Sequence, residues 1–309
     1  MKVAISKFRE TSRTRIESWS SNMMTSIVQA VNATLAEYDF PLTLRQIYYR
    51  LVASGLIPNK RSAYNQLSKT LVKARENGEV DDTRIEDRAR QVLKGKGGFD
   101  DPDQFVDAMK SWFKSAGERY NADLWADQPV FVEVWVEKDA LSRVIAQAAE
   151  PYRVTICPSR GYSSYTYIKR MAIDDRFSDV DKPIIILDFR DHDPSGIQMT
   201  EDLEKRLVNY GEGLDIEVKR IALTIDQVNE YKLIPNPTKL ADPRSQAYVV
   251  QYGDQCWELD AIEPRELQRI VKAAIEKHID REVWDHSLEH EQKDKTSLTE
   301  RFANATLEV

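Results

Sequence analysis

Three carboxylates fall where an α/β sheet offers its ligand site. Glu137 directly follows the apolar run VFVEVWV (130–136), and Asp191 and Asp193 follow PIIILDF (183–189) within LDFRDHDPSG. Ligands of open α/β sheets bind outside the carboxyl ends of the strands. Two acids one residue apart in a loop can turn toward one point, and a third from a neighbouring strand end completes an all-oxygen set suited to Mg2+. By spacing alone, ordinary solvated loop acids fit equally well. Pro194 and Gly196 shape the turn, and Ser195 is placed to cap the next helix. Asp188 is a further acid at the end of the apolar run, where half-burial is expected. Glu133 lies inside the strand and is expected to point away. His192, between the two acids, is expected to turn from them.

A second candidate is a phenol. Residues 43–51 read TLRQIYYRL. On a helix, Leu44, Ile47, Tyr48, Leu51 and Val52 form one apolar stripe. Tyr48 belongs to that stripe and should pack. Tyr49 lies about 100° further round, on the face of Arg45, four residues before it. A phenol of pKa about 10 is a poor nucleophile at neutral pH. A cation such as Arg45 would favour its ionised form or hold a phosphate beside it.

The elements that must position these groups follow from periodicity. Residues 13–38 carry apolar side chains at helical spacing. Thr43 is an N-cap for a helix ending at Ser54-Gly55, and a third helix runs from about Arg61 to Asn77, stopped by Gly78. Three helices joined by short turns resemble a helix-turn-helix or winged-helix arrangement. GKGG at 95–98 is an expected exposed loop, and an amphipathic helix is expected over 102–119. From Val130 strands and helices alternate: strands at 130–136, 153–157, 183–189 and 215–221, with helices at about 139–149, from Ser163, and at 195–209. That alternation predicts an α/β, mainly parallel, Rossmann-like sheet. The expected division is a helical domain over 1–125 and an α/β domain over 126–309 with a C-terminal helical extension.

The chain has 309 residues, 41% of them hydrophobic, enough for two domains. It has no apolar run of about 18 residues, hence no expected membrane span. Its N-terminus lacks a signal-peptide core. Cys157 and Cys256 alone exclude a disulfide framework and fit a reducing cytoplasm. The net charge of −7 is unevenly spread. Between Pro41 and Arg75 stand seven basic residues (Arg45, Arg50, Lys60, Arg61, Lys69, Lys73, Arg75) and no acid. Such a local basic face suits phosphates. Arg160-Gly161, after the second strand, and Lys138, beside Glu137, are further candidate DNA contacts. His286 and His290 have zinc-like spacing but no third ligand, and read as surface. The tryptophans read as packing. The tail after about 285 is charged and reads as mobile or partner-binding.

Glu137 after the first strand and DHDPSG after a later one resemble a Toprim domain, the metal-binding module of topoisomerases, primases and some nucleases. TLRQIYYRL resembles the tyrosine-bearing winged-helix domain of the topoisomerase VI A subunit and its meiotic recombination relative. EKDAL, DHDPSGI, RIALTIDQV and WELDAIEP are similar to further segments of that family, over roughly 40–280 and in the family's order. The resemblance implies a winged-helix domain followed by a Toprim domain. It implies that Tyr49 attacks a phosphate of duplex DNA to form a 5′-phosphotyrosyl link, and that Glu137, Asp191 and Asp193 hold Mg2+. It further implies a homodimer in which the metal site of one subunit serves the tyrosine of the other, a cytoplasmic, nucleoid-associated setting, and a separate GHKL-type ATPase subunit as partner. The chain is shorter than a typical A subunit and has no Gly-rich nucleotide loop. Two rivals stand beside this reading. One is a Toprim nuclease using metal-activated water, for which Tyr49 is dispensable. The other is a non-catalytic DNA-binding protein, which would gain nothing from three anions near phosphate.

Overall fold

The computed structural model describes residues 19–86, 98–159, 177, 181–211, 213–239 and 241–303. Arg160, the helix expected from Ser163 and most of the GKGG loop lie outside the described residues. The chain divides into two compact units, Met1–Glu86 and Asp87–Val309.

In the first unit, α1 spans Ser21–Ala36 and buries Ile27, Val31 and Leu35, spaced four apart on one face. The strand β1 (Leu42–Thr43) leads into α2 (Leu44–Ala53). The start of α2 is pinned by a capping box: the Thr43 N–H donates to Gln46 Oε1 at 2.8 Å, and the Gln46 N–H donates to Thr43 Oγ1 at 3.3 Å. Next comes α3 (Arg61–Glu76), then β2 (Ile85–Glu86), which pairs with β1 in parallel. Gly55 and Gly78, at φ of 75° and 73°, supply the left-handed turns that follow α2 and α3. Arg84 closes α1 by donating to the Leu35 carbonyl at 2.6 Å and to that of Tyr38, satisfying groups the helix end leaves open.

The second unit is built on a parallel sheet of four strands: β3 (Phe131–Val136), β4 (Thr155–Pro158), β5 (Ile184–Phe189) and β6 (Ile216–Ala222), in the order β4-β3-β5-β6. Both middle strands are almost wholly buried, as the continuous apolar runs require. One face packs Trp135, Cys157, Ile184, Ile186 and Ile216 against Leu203 and Leu207 of α7 (Pro194–Tyr210), with Phe177. α6 (Ser142–Ala149) packs against α10 (Pro264–Glu276), which also meets β6. Short elements complete the unit: α8 (Ile225–Glu230), the antiparallel pair β7 (Asn236–Pro237) and β8 (Gln255–Cys256), and α9 (Ser245–Tyr252).

Two features differ from the sequence reading. The tail after 285, read as mobile or partner-binding, is a packed part of α11 (Arg281–Ala303), the expected C-terminal helical extension. The junction between units falls after Glu86 rather than near 125. Both differences have one cause. The segment before the sheet, α4 (Pro102–Lys114) and α5 (Ala116–Arg119), packs on α11. Glu291 of α11 is buried and gathers several elements. It accepts the Ala122 N–H at 2.8 Å, the Arg153 Nη2 at 2.9 Å and Lys295 at 2.7 Å. Gly117 lies so close to Thr299 and the Lys295 carbonyl that no side chain would fit. A charged tail reads as solvated because a lone buried Glu cannot be seen in a run of acids.

Arg153 beside Glu291 holds its carboxyl down to about 2. The folded value lies below the unfolded one of about 4.3, so this stabilisation is complete above the unfolded value and is lost as pH falls toward 2. Glu291→Gln should therefore lower the unfolding free energy by about 2 kcal/mol at pH 7. Urea denaturation should show the deficit closing as pH approaches 2.

Candidate functional site

The strand order makes one crevice. From β3 the chain crosses to β4 on one side, then returns to β5 on the other. Ligand sites in open α/β sheets lie at such a reversal, outside the carboxyl ends of the two strands. Here those strands are β3 and β5, in register through Val136 and Phe189. Glu137 follows β3 and Asp191 follows β5 by two residues. The Glu137 N–H donates to the Phe189 carbonyl at 3.0 Å, which holds the two strand ends together.

The loop after β5 is held on both sides. The Arg190 N–H donates to the carbonyl of Ala222 at the end of β6, the Arg190 carbonyl accepts the Leu223 N–H, each at 2.7 Å, and His192 exchanges a pair with Trp257 at 2.9 Å each. Asp191 is buried. Its Oδ1 accepts the Leu259 N–H at 2.8 Å, and its Oδ2 lies 2.8 Å from Lys138 Nζ. Burial drives its pKa up to about 7, although Lys138 acts against the rise. Asp193, not Ser195, caps α7: its Oδ1 accepts the Gly196 N–H at 2.6 Å. Gly196 is needed because a Cβ would strike the Asp191 carbonyl. Glu137 is half-buried, and burial raises its pKa. Its carboxylate takes a backbone hydrogen bond from Asp191, while Oε2 is buried with no hydrogen-bond partner among the described residues.

Around these acids stand Lys138 and four residues that the sequence reading did not single out, Arg190, Arg220, Glu258 and Asp260. Lys138, expected as a DNA contact, is turned into an anionic pocket: its Nζ is 2.7 Å from Asp260 Oδ2 and 3.2 Å from Glu258 Oε2, besides Asp191. Arg190 pairs through Nε with both oxygens of the buried Asp188 at 2.8 Å. Arg220, from β6, donates to the Asp191 carbonyl at 2.5 Å, the Gly196 carbonyl at 2.9 Å and Thr200 Oγ1 at 2.8 Å. The only sequence signals for these were cations and acids inside apolar strands and turns, as in IEVKRIA and WELDAIEP, where charge without burial partners would be costly. Asp188 and Glu133 are both fully buried. Glu133 accepts the Trp135 Nε1–H at 2.9 Å. His192 is also buried, with Nδ1 2.8 Å from the Tyr248 hydroxyl, and burial pushes its pKa down to about 4.

The structure brings Glu137 and Asp191 to one crevice and commits Asp193 to a helix cap. Among the described residues, no three His, Cys, Asp or Glu side chains are gathered as a ready metal group. The donors nevertheless suit a hard divalent cation: they are carboxylate oxygens, and the buried Glu137 Oε2 has no hydrogen-bond partner among the described residues.

In the first unit, α2 is buried on more than one side. It packs between α1 and α3, and Gln46, Ile47, Tyr48, Tyr49, Leu51 and Val52 are all buried. The sequence reading set Tyr49 on an outward arginine face, but it is only 4% exposed. A one-sided amphipathic stripe underestimates a helix with neighbours on two flanks. The Tyr48 hydroxyl lies 3.0 Å from Asn59 Oδ1, and its ring meets Tyr49 and Tyr64 edge-on. Arg45 and Arg50 are partly exposed. Lys60, Arg61, Lys69 and Lys73 are exposed, the last three on α3 at spacings of eight and four residues, while Arg75 pairs with Asp82. His286 and His290 are exposed.

The fold and site thus define an α/β protein with a four-stranded parallel sheet and a carboxylate-lined crevice at its point of strand reversal. No family model matches the chain, and no curated protein matches it in sequence. Among the described residues, no helix is long and apolar enough to cross a membrane.

Asp191 and His192 pull stability in opposite directions with pH. Asp191, raised to about 7, keeps its proton in the folded state, so its stabilisation is lost as pH rises from about 4 to 7. Glu137 acts in the same sense. His192, lowered to about 4, resists protonation when folded, so its contribution is lost as pH falls from about 6.5 to 4. Asp191→Asn removes one side of this balance. Its unfolding free energy should climb with pH between about 4 and 6.5 more steeply than the wild type's, by up to about 1.4 kcal/mol per pH unit. Denaturant titrations across that range check it.

Proposed function

We propose that this chain is a Mg2+-dependent DNA strand-cleaving enzyme of the topoisomerase VI A-subunit type, with a winged-helix-like tyrosine unit and a Toprim-like unit. The observation that supports this most is the placement of Glu137 and Asp191 at the reversal point of a parallel sheet, with a buried Glu137 oxygen that has no hydrogen-bond partner among the described residues. The tyrosine pair on a capped helix, followed by the exposed cations of α3, supports a duplex DNA substrate.

In this reading the Tyr49 oxygen attacks a backbone phosphorus. The new O–P bond forms as the bond to the 3′ oxygen breaks. The phenol proton is given up, the 3′ oxygen leaves and takes a proton, and the 5′ phosphate stays on the tyrosine. Arg45, one turn before Tyr49, favours the phenolate and holds the phosphate. Glu137 and Asp191 would hold Mg2+, with Asp193 joining through the carboxylate oxygen that its cap bond to Gly196 does not use, and the ion would neutralise charge on the transferring phosphate. Arg50, Lys60, Arg61, Lys69 and Lys73 position the duplex by phosphate contacts, and Arg160 is assigned the same role. The active form is a homodimer, and strand passage requires a separate GHKL-type ATPase subunit. The setting is the nucleoid.

Incubation with supercoiled DNA and Mg2+, followed by denaturation, should leave protein attached to DNA 5′ ends. Tyr49→Phe should abolish the adduct. Tyr48→Phe should retain it and lose about 1 kcal/mol of stability with the Asn59 hydrogen bond. EDTA should stop cleavage. The burial of Tyr49 favours one second reading, a Toprim nuclease that activates water. In that case cleaved ends carry no protein and Tyr49→Phe cuts at the wild-type rate.

A further inference from the structure

The position of Lys138 is unusual for a residue next to a candidate metal ligand. Its ammonium lies 2.7 to 3.2 Å from Asp260, Asp191 and Glu258, and its side chain is 19% exposed. Three carboxyl groups drawn from two separate loops converge on one cation. Lys138 offsets part of the desolvation cost of these acids, above all of Asp260, whose side chain is fully buried. Lys138 also occupies the one oxygen of Asp191 that faces a movable group. Oδ1 is fixed to the backbone N–H of Leu259, whereas Oδ2 faces only a flexible lysine among its described contacts.

We propose that Lys138 is a built-in counter-cation that competes with divalent metal for Asp191, so that metal binding is an exchange of cations rather than the filling of an open site. The inference rests on Glu137 and Asp191 being ligands of a divalent ion. When such an ion takes Asp191 Oδ2, its charge repels the ammonium at contact distance, and Lys138 withdraws onto Glu258 and Asp260. These two acids are therefore positioning residues. They hold the lysine near enough to balance the metal-free crevice and give it somewhere to go. This arrangement keeps the three acids paired without metal and sets the metal affinity lower than the carboxylates alone would.

The test is direct binding of Mn2+, followed by loss of the free-ion EPR signal, with no DNA and no turnover. Lys138→Met should bind Mn2+ at least about tenfold more tightly than wild type, because a repelling charge at contact distance is removed. Lys205→Met removes the same charge at an exposed position and should change affinity less than about twofold. Without metal, Lys138→Met should melt lower than wild type, and Mg2+ should raise its melting temperature by more than it raises the wild type's. Lys138→Gln, which keeps an N–H donor for Asp260, provides the same comparison should the methionine variant fail to fold. If wild type binds no Mn2+ but the Lys138 variants do, the competition is supported in its strongest form. If wild type binds Mn2+ and the variants bind no more tightly, the competition is overturned and the metal site stands. If none of them binds Mn2+, the metal site and the competition fall together.

Discussion

The second unit depends on pairing buried charge at the carboxyl ends of its two central strands. Six carboxylates, Glu137, Asp188, Asp191, Asp193, Glu258 and Asp260, stand at or near that edge with three cations, Lys138, Arg190 and Arg220. A buried charge is tolerated only with a partner and satisfied hydrogen bonds. Much of the local architecture follows from that requirement. Arg190 folds back on Asp188, Arg220 crosses from β6 to gather the carbonyls of Asp191 and Gly196, and Lys138 draws the 257–261 segment against the loop after β5. The crevice is therefore rigid in its backbone and anionic in its side chains. That combination suits a cation and the phosphate it accompanies.

The first unit answers a different constraint. Its central helix must bury nearly all of its surface in a small three-helix body, and the capping box at Thr43 with the left-handed turn at Gly55 fixes where it starts and stops. The two tyrosines are consequently not divided into one packed and one exposed ring. They are distinguished by chemistry instead. Tyr48 has its hydroxyl committed to the 58–60 turn, while Tyr49 lies one turn beyond a partly exposed arginine. The exposed cations lie on α3, whose inward face of Ala63, Leu67, Leu71 and Ala74 leaves the lysines on the solvent side.

The order of elements was legible in the sequence. The four strands of the parallel sheet fall within a residue or two of their expected limits, and for the middle strands β3 and β5 the reason is that a parallel strand buried on both faces writes itself as a nearly continuous apolar run. The helix 44–53 was legible through its cap and its glycine stop. A C-terminal helical extension was expected, but its packing was not, since beyond Trp284 its polar sequence is anchored by the buried Glu291. The capping role of Asp193 was hidden as well. An acid before Pro-Ser-Gly is as good a helix cap as it is a metal ligand, and composition does not choose between them.

By itself the sequence determined the alternation of strands and helices, the strand ends on which Glu137 and Asp191 stand, and the concentration of positive charge between Pro41 and Arg75. These are local properties, set by periodicity, capping and spacing. Tertiary structure alone decided which acids share a pocket, which cation balances them, and that Tyr49 is covered. Lys138 meets Glu258 and Asp260 across some 120 residues of chain. Glu291 meets Ala122 across 169. Contacts between loops so far apart depend on how the sheet reverses and how the helices pack on it, and a reading along the chain carries no such distances.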